Sequence, residues 1–249
     1  MESKNNTSKG NNKEKESAKP NPIIENIKSR YILSKIYDNI PKKKKLEIVK
    51  YNKKIQNRLN LDIKDYKEYS EIFSQIEIEI IPAKDEYGIF ININKNDKLY
   101  YHIYFNNNKK EIKNKYEIEE EYDEVEKIRI IIDYQVKSFE DLFKRCECIE
   151  SINFKKFNRN NINNMYCMFF KCSSLKELNL NNFNTNKVNN MRFMFHGCSS
   201  LKEINLSNFN TDSVTNMRSM FYGCSRDLQK KIISENKNIK KEAFYDSVR

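Results

Sequence analysis

The chain has no tryptophan, and its 249 residues hold only four glycines, four prolines and two histidines. Each shortage closes a class of function. The glycines stand apart at positions 10, 88, 197 and 223, so no GxGxxG or Walker-type loop is present to cradle a phosphate. His102 and His196 leave little material for acid–base or triad chemistry, and a Cys/His nucleophile pair would have to bring Cys148 or Cys167 to His196. No enzymatic activity and no cofactor are expected. No apolar run reaches the length of about 18 residues that a membrane-crossing helix needs. Residues 1–20 are polar and lack an apolar h-region, which predicts a disordered tail rather than a signal peptide. No terminal lipidation motif is present. A cytoplasmic protein is the simplest expectation, with the cell surface by a non-classical route as the alternative.

Charge is plentiful by contrast: 46 Lys and Arg against 35 Asp and Glu, a formal net charge of +11. The abundance of Lys, Asn and Ile reads as an AT-rich coding bias, so lysine content alone is poor evidence for nucleic acid. The sign alternates along the chain, basic over 21–70, acidic over 71–134 and basic again over 135–225. That pattern suggests separate surfaces rather than one basic stripe. The basic residues lack interleaved aromatic platforms in the sequence, so no specific nucleic-acid partner is expected.

The most informative feature is a repeat of 26 residues. Met165–Thr185 and Met191–Thr211 are near-copies; a third begins at Met217 and breaks off, and a fainter one covers Phe139–Asn158. Within the copy from Met191, Asn190 suits an N-cap and Gly197 a C-cap, which predicts a helical turn or two. Leu201-x-x-Ile204-x-Leu206 then predicts a short strand. Equivalent positions form columns: Asn164/Asn190/Asn216, Met168/Met194/Met220, Phe143/Phe169/Phe195/Phe221 and Phe154/Leu180/Leu206. Such a period predicts stacked units, none of which can bury its apolar face alone. Ile128 lies 26 residues before Phe154, so Lys127–Asp133 is expected to be the strand of a capping coil.

The signature N-M-x-x-M-F-x-x-C-S-S-L-K-E-[LI]-N-L-x-N-F-N-T resembles the BspA-like leucine-rich-repeat family of surface and interaction proteins, over about residues 128–225. The resemblance implies a leucine-rich-repeat-like solenoid that presents a binding surface and has no catalytic residues. The expected fold is therefore α+β: a short solenoid, with a helical turn plus a short strand per 26-residue coil, preceded by a small helical segment and an antiparallel β-meander. The expected segments are a tail (1–20), helices (21–70), meander and acidic loop (71–127), repeat array (128–225) and a capping helix (226–249).

Four of the six cysteines, Cys146, Cys172, Cys198 and Cys224, share one column. Their spacing does not suit zinc, which favours close Cys pairs or Cys/His pairs. They read as small apolar residues filling a narrow buried column, which favours a reducing compartment. No metal site is expected in the acidic run Glu117–Glu126 either. It lacks the glycine and alternating acidic spacing of a calcium loop and reads as an exposed loop or short helix.

Upstream, Ile32, Leu33, Ile36, Tyr37 and Ile40 are expected on one helix face, with Pro41 starting a second helix that carries Leu46, Ile48 and Val49. The spacing is similar to an F-box, with candidate docking residues Ile32, Leu33, Ile36, Ile40, Pro41 and Leu46. That resemblance implies a substrate adaptor that docks a ubiquitin-ligase scaffold subunit. Residues 72–134 alternate as strands at Ile76/Ile78/Ile80, Ile89/Ile91/Ile93 and Tyr101/Ile103/Phe105.

The leading functional expectation is a non-catalytic protein–protein interaction module. Its candidate surface comprises the strand residues Lys176, Glu177, Asn179, Lys202, Glu203 and Asn205, with Lys187, Arg192, His196 and Arg218 on the helix side. His196 is expected at a variable, exposed position. A protein partner leads; a glycan or matrix ligand, as for a cell-surface adhesin, is the further alternative.

Overall fold

The computed structural model describes residues 26–41, 44, 49, 52–120 and 125–246. The chain divides into two units, Met1–Tyr66 and Lys67–Arg249.

In the first unit, α1 (Arg30–Asp38) is capped by Ser29, whose Oγ accepts from the Ile32 N–H at 3.3 Å. Helix α2 (Lys53–Arg58) is capped by Asn52, whose Oδ1 accepts from the Ile55 N–H at 3.1 Å. Helix α3 (Ile63–Phe73) begins in this unit and ends in the next. The apolar face expected on α1 is only half right. Leu33 and Tyr37, one turn apart, are buried, while Ile32 and Ile36 are 52% and 38% exposed, Ile40 is half-buried and Pro41 is exposed. Four residues advance a helix by little more than one turn, so 33/37 and 32/36 form two adjacent stripes, of which this unit covers one. Leu46, Ile48 and the body of the expected second helix lie outside the described residues, as does the tail 1–20.

The second unit is built on a mixed five-stranded sheet in the order β3-β5-β1-β6-β7. Its strands are β1 (Ile76–Pro82), β3 (Tyr101–Phe105), β5 (Ile128–Ile132), β6 (Ile149–Lys156) and β7 (Glu177–Asn179). A separate pair joins β2 (Gly88–Ile89) to β4 (Glu117–Ile118). The period-2 alternation holds where strands are long. Ile76, Ile78 and Ile80 are buried on β1, and so are Tyr101, Ile103 and Phe105 on β3 and Ile128, Ile130 and Ile132 on β5.

The expectations need correction at two levels, the strand pattern of 71–127 and the solenoid. The meander is not formed, because β5 lies between β1 and β3 and pairs antiparallel with both. The alternation expected at Ile89/Ile91/Ile93 fails too: Ile89 is exposed, and Phe90 and Ile91 are both buried. There the backbone leaves the ladder, with Phe90 N donating to Tyr116 O and Asn92 N to Leu142 O. The acidic run is neither wholly loop nor helix at its start, since Glu117–Ile118 is β4; residues 121–124 lie outside the description.

The second correction concerns the solenoid. The architecture is a mixed sheet, and the segment from Ile128 is not a first coil of a solenoid but an antiparallel strand inside that sheet. Among the strands of the described residues, β6 and β7 alone pair in parallel, Ser151 to Glu177, Ile152 to Leu178 and Asn153 to Asn179. In the copy from Met191, Ile204–Leu206 forms no strand. The expected helical turns are absent as well. Positive φ recurs at Asp141, Cys167, Phe193 and Ser219, and again at Arg145, Lys171, Gly197 and Gly223. A left-handed residue every fourth position breaks a right-handed helix. It also swings alternate amides outward. Phe139, Phe143 and Arg145 donate to the carbonyls of Asn164, Met168 and Phe170, and Met165, Phe169 and Lys171 donate likewise to Asn190, Met194 and His196. Helix signals at Asn190 and Gly197 were thus turn signals: the Asn190 side chain accepts from the Arg192 N–H two residues on.

Within this fold the repeats stack in register. Parallel bridges join Ser138, Asn164, Asn190 and Asn216 in sequence. Near-parallel rings follow at 5.6, 5.4 and 5.3 Å for Phe143–Phe169, Phe169–Phe195 and Phe195–Phe221. The cysteine column is buried beside them, and three of its four thiols donate to a carbonyl one copy back: Cys172 to Phe143 (2.9 Å), Cys198 to Phe169 (3.0 Å) and Cys224 to Phe195 (3.1 Å), while Cys146 donates to Lys144 O at 3.9 Å. Cysteine suits the column because it is small and still supplies a weak donor to a buried carbonyl. Arg159 is fully buried and donates to the carbonyls of Asp133 (2.6 Å) and Val136, and to Asn161 Oδ1 (3.1 Å). Burial lowers its pKa to about 10.

The last copy is closed by the segment after it. Helix α4 (Arg226–Glu235) is capped by Ser225 and buries Leu228 and Ile232, leaving Ile233 exposed. A 3₁₀ turn at Lys241–Ala243 follows. Ser219 N and Phe221 N donate to Glu242 O and Ala243 O, and Phe244 stacks on Phe221 at 5.6 Å.

Candidate binding groove

The outward residues of the sheet form a polar face. The register places Tyr104, Arg129, Glu79, Asn153 and Asn179 in one row across β3, β5, β1, β6 and β7. Burial alone would raise the Glu79 pKa, but Lys155 and Lys127, each 3.2 Å away, outweigh it and hold the carboxyl below its usual range. At its far end the face deepens into a groove of about 1010 Å³, running over Ser151 and Asn153, then 176–181, then 202–207, and ending against Lys231, Glu235 and Asn236 of α4 and its C-cap.

Six candidate residues, Lys176, Glu177, Asn179, Lys202, Glu203 and Asn205, line this groove, and all are exposed. Carboxamides tie the levels together: Asn179 Nδ2 donates to Asn153 Oδ1 (3.2 Å), and Asn205 Nδ2 to Asn181 Oδ1 (3.0 Å). Lys176 pairs with Glu150 at 3.3 Å and Lys231 with Glu203 at 3.8 Å. Among the described residues Glu177 and Lys202 have no ion pair. No aromatic side chain lines the groove. The opening coincides with a change in the backbone. Lys176 N donates back to Glu150 O, but the copy from Met191 makes no corresponding ladder bond from Lys202.

Arg192, His196, Arg218 and Lys187 do not line the groove. Lys187 and Arg218 are exposed, and Arg192 is half-buried with its guanidinium 4.5 Å from the Phe193 ring. His196 is not the exposed site expected. It is half-buried between Phe170 (centroids 4.9 Å) and Tyr222 (5.3 Å), and burial lowers its pKa, which keeps the ring neutral at pH 7. Lys171 and Arg192 lie beside this ring row, 5.6 Å from the Phe170 centroid and 4.5 Å from that of Phe193. Phe170 stacks on His196, and the other ring contacts in the row are edge-on or tilted.

Ser151, Asn153 and the α4 residues went unnoticed in the sequence. Stepping the repeat back by 26 from Glu177 and Asn179 reaches Ser151 and Asn153, so that signal was present. Lys231 and Glu235 lie beyond the repeat and carry no such signal.

All six cysteines are free and buried. Burial raises Cys148 and Cys167 to about 11 and Cys224 to about 12, and holds Cys146, Cys172 and Cys198 well above the ordinary thiol range. None is a ready nucleophile. Among the described residues no group of three or more His, Cys, Asp or Glu is placed to hold a metal ion. No helix among them is long and apolar enough to cross a membrane.

Residues 137–246 match the model of a family described as "Mycoplasma protein of unknown function, DUF285". The match takes in the repeats and the closing segment, under half of the chain. No curated protein and no solved structure matches the chain.

Proposed function

We propose that the protein is a non-catalytic binding module whose protein partner occupies the groove over Lys176, Glu177, Asn179, Lys202, Glu203 and Asn205. The observation that carries this reading is the convergence of these repeated polar residues on one open cavity of about 1010 Å³. Exposed carboxamides and charges of both signs suit the amides and side chains of a polypeptide. A glycan ligand is disfavoured by the absence of any ring in the lining on which a sugar could stack. Among the described residues the thiols are buried with raised pKa values and His196 is half-buried among rings, which supports a non-catalytic reading. A reducing, cytoplasmic setting accords with the six free thiols; labelling of intact cells by an impermeant reagent would overturn it. The binding reading is tested by affinity capture with the full chain and with Asn179→Arg/Asn205→Arg. A protein retained by the wild type and lost by the variant supports the groove; identical captured sets overturn it.

A second reading, docking of a ubiquitin-ligase scaffold subunit through α1, is favoured by the exposure of Ile32 and Ile36 at i, i+4. In a pull-down with that subunit, Ile32→Asp/Ile36→Asp should abolish binding; retention by the variant, or no binding by the wild type, sinks the reading.

A further inference from the structure

We infer that the groove's occupant is an α-helix of the partner, laid along the stacking direction so that successive helical turns meet successive copies of the repeat. The inference rests on the groove being the protein-binding site. Its first support is direction. The lining passes from Asn153 to Asn179 to Asn205 and then to Lys231, one level at a time, so the groove runs across the strands and not along them.

The second support is period. Ring centroids down the buried phenylalanine column are 5.6, 5.4 and 5.3 Å apart, and paired strands such as β6 and β7 at the groove itself lie about 4.7–4.9 Å apart, so the levels recur every ~5 Å. An α-helix has a pitch of about 5.4 Å, so one side chain per turn stays in step with one copy per level. An extended strand repeats its same-face side chains every ~6.8 Å and would drift by more than an ångström per level. A polyproline II segment, at ~3.1 Å per residue and three residues per turn, repeats every ~9.3 Å and misses alternate levels. Size agrees with this choice. A helix is about 10–12 Å across, so 1010 Å³ accepts roughly two turns fully sunk or four turns half sunk.

Charge sets what that helix carries. Lys176 and Lys231 are engaged by Glu150 and Glu203, whereas Glu177 and Lys202, on adjacent levels and of opposite sign, have no ion pair among the described residues. A complementary helix presents Lys or Arg to Glu177 and, one turn on at i+3 or i+4, Glu or Asp to Lys202. A uniformly acidic or uniformly basic helix meets a like charge at one of the two levels. Ile152, Leu178, Ile204 and Leu206 also reach the lining but are nearly buried, so the contact face of the helix is mainly polar, with small apolar side chains between its charges.

The test is a displayed library of random 16-residue peptides, selected on the full-length protein and counter-selected on Asn179→Arg/Asn205→Arg. Expected is a groove-dependent set enriched in basic and acidic residues at i and i+3 or i+4, with affinity falling at least tenfold when a central residue is replaced by proline. The Glu177→Lys/Lys202→Glu variant should select the reversed order of signs, a readout that a general loss of folding cannot produce. Groove-dependent peptides that alternate with period 2, or that tolerate central proline, overturn the helix while leaving the groove as a peptide site. Failure to recover any groove-dependent peptide overturns both.

Discussion

Phe195→Ala removes the middle ring of the stacked column. The side chain is fully buried, 5.4 Å from Phe169 at an interplanar angle of 6° and 5.3 Å from Phe221 at 10°. Truncating a buried phenylalanine costs about 3–5 kcal/mol through lost transfer energy and the cavity left behind. Ring pairs on both sides, each about 0.5–1.5 kcal/mol beyond area burial, place this site at the upper end, roughly 4–5 kcal/mol. At about 2–4 °C per kcal/mol for a unit of this size, Tm should fall by roughly 8–20 °C. Phe195→Leu keeps an apolar side chain but loses the ring pairs and should cost clearly less, about 1–2 kcal/mol. Urea and thermal unfolding followed by far-UV circular dichroism measure both. A loss below about 1 kcal/mol for the alanine variant, or equal losses for the two, would refute the reasoning that continuous ring contact holds the copies together.

Other expectations follow from the same geometry. The thiols keep raised pKa values only while buried, so at alkaline pH the unfolded state releases protons that the folded state holds. Stability is therefore complete below about pH 9 and is lost as pH rises towards 11–12, by up to about 1.4 kcal/mol per pH unit for each thiol; denaturant titrations at pH 7, 9 and 10 measure this, and a flat profile contradicts it. A thiol reagent at pH 8 should find the six cysteines unreactive until denaturant is added. Gly223 has φ +79°, and an added Cβ would meet the Gly197 backbone at 3.1 Å, so Gly223→Ala should destabilise by about 1–2 kcal/mol; an unchanged melt contradicts the close approach. Lys202→Glu, on an exposed side chain, should move stability by no more than about 0.5 kcal/mol while altering partner binding; a large shift in the melt would place Lys202 in the structure rather than in recognition.

The legible parts of the fold were those written as periodicity. Alternating apolar residues identified β1 (Ile76/Ile78/Ile80) and the inward face of β3 (Tyr101/Ile103/Phe105), because a half-buried strand leaves that pattern whatever its neighbours, while the β5 strand was read from its repeat spacing. Strand order was not legible. Nothing in Ile128–Ile132 says that it inserts between β1 and β3, and the coincidence of its spacing with the repeat pointed the wrong way. Helical turns were misread at Asn190 and Gly197 because the same residues serve helix caps and turns; the deciding fact, positive φ at Phe193 and Lys171, falls on residues that carry no sign of it. On α1 the apolar pattern was correct, but which stripe is covered depends on contacts that the helix sequence alone does not encode. The groove was legible as a set of repeated exposed residues; its α4 wall was not, because that wall lies after the repeat ends.

The closing segment has a consequence for how this protein can grow. Ser219 and Phe221 donate to Glu242 and Ala243 much as Phe193 and Phe195 donate to Arg218 and Met220 one copy earlier. The terminal piece thus plugs into a socket that every full copy already presents. Duplicating one 26-residue unit ahead of it would leave that junction intact and shift it outward by one level, lengthening the groove by one further Lys-Glu-x-Asn row. Copy number is then a free variable for evolution or design, a dial on contact length that turns without redesigning either end.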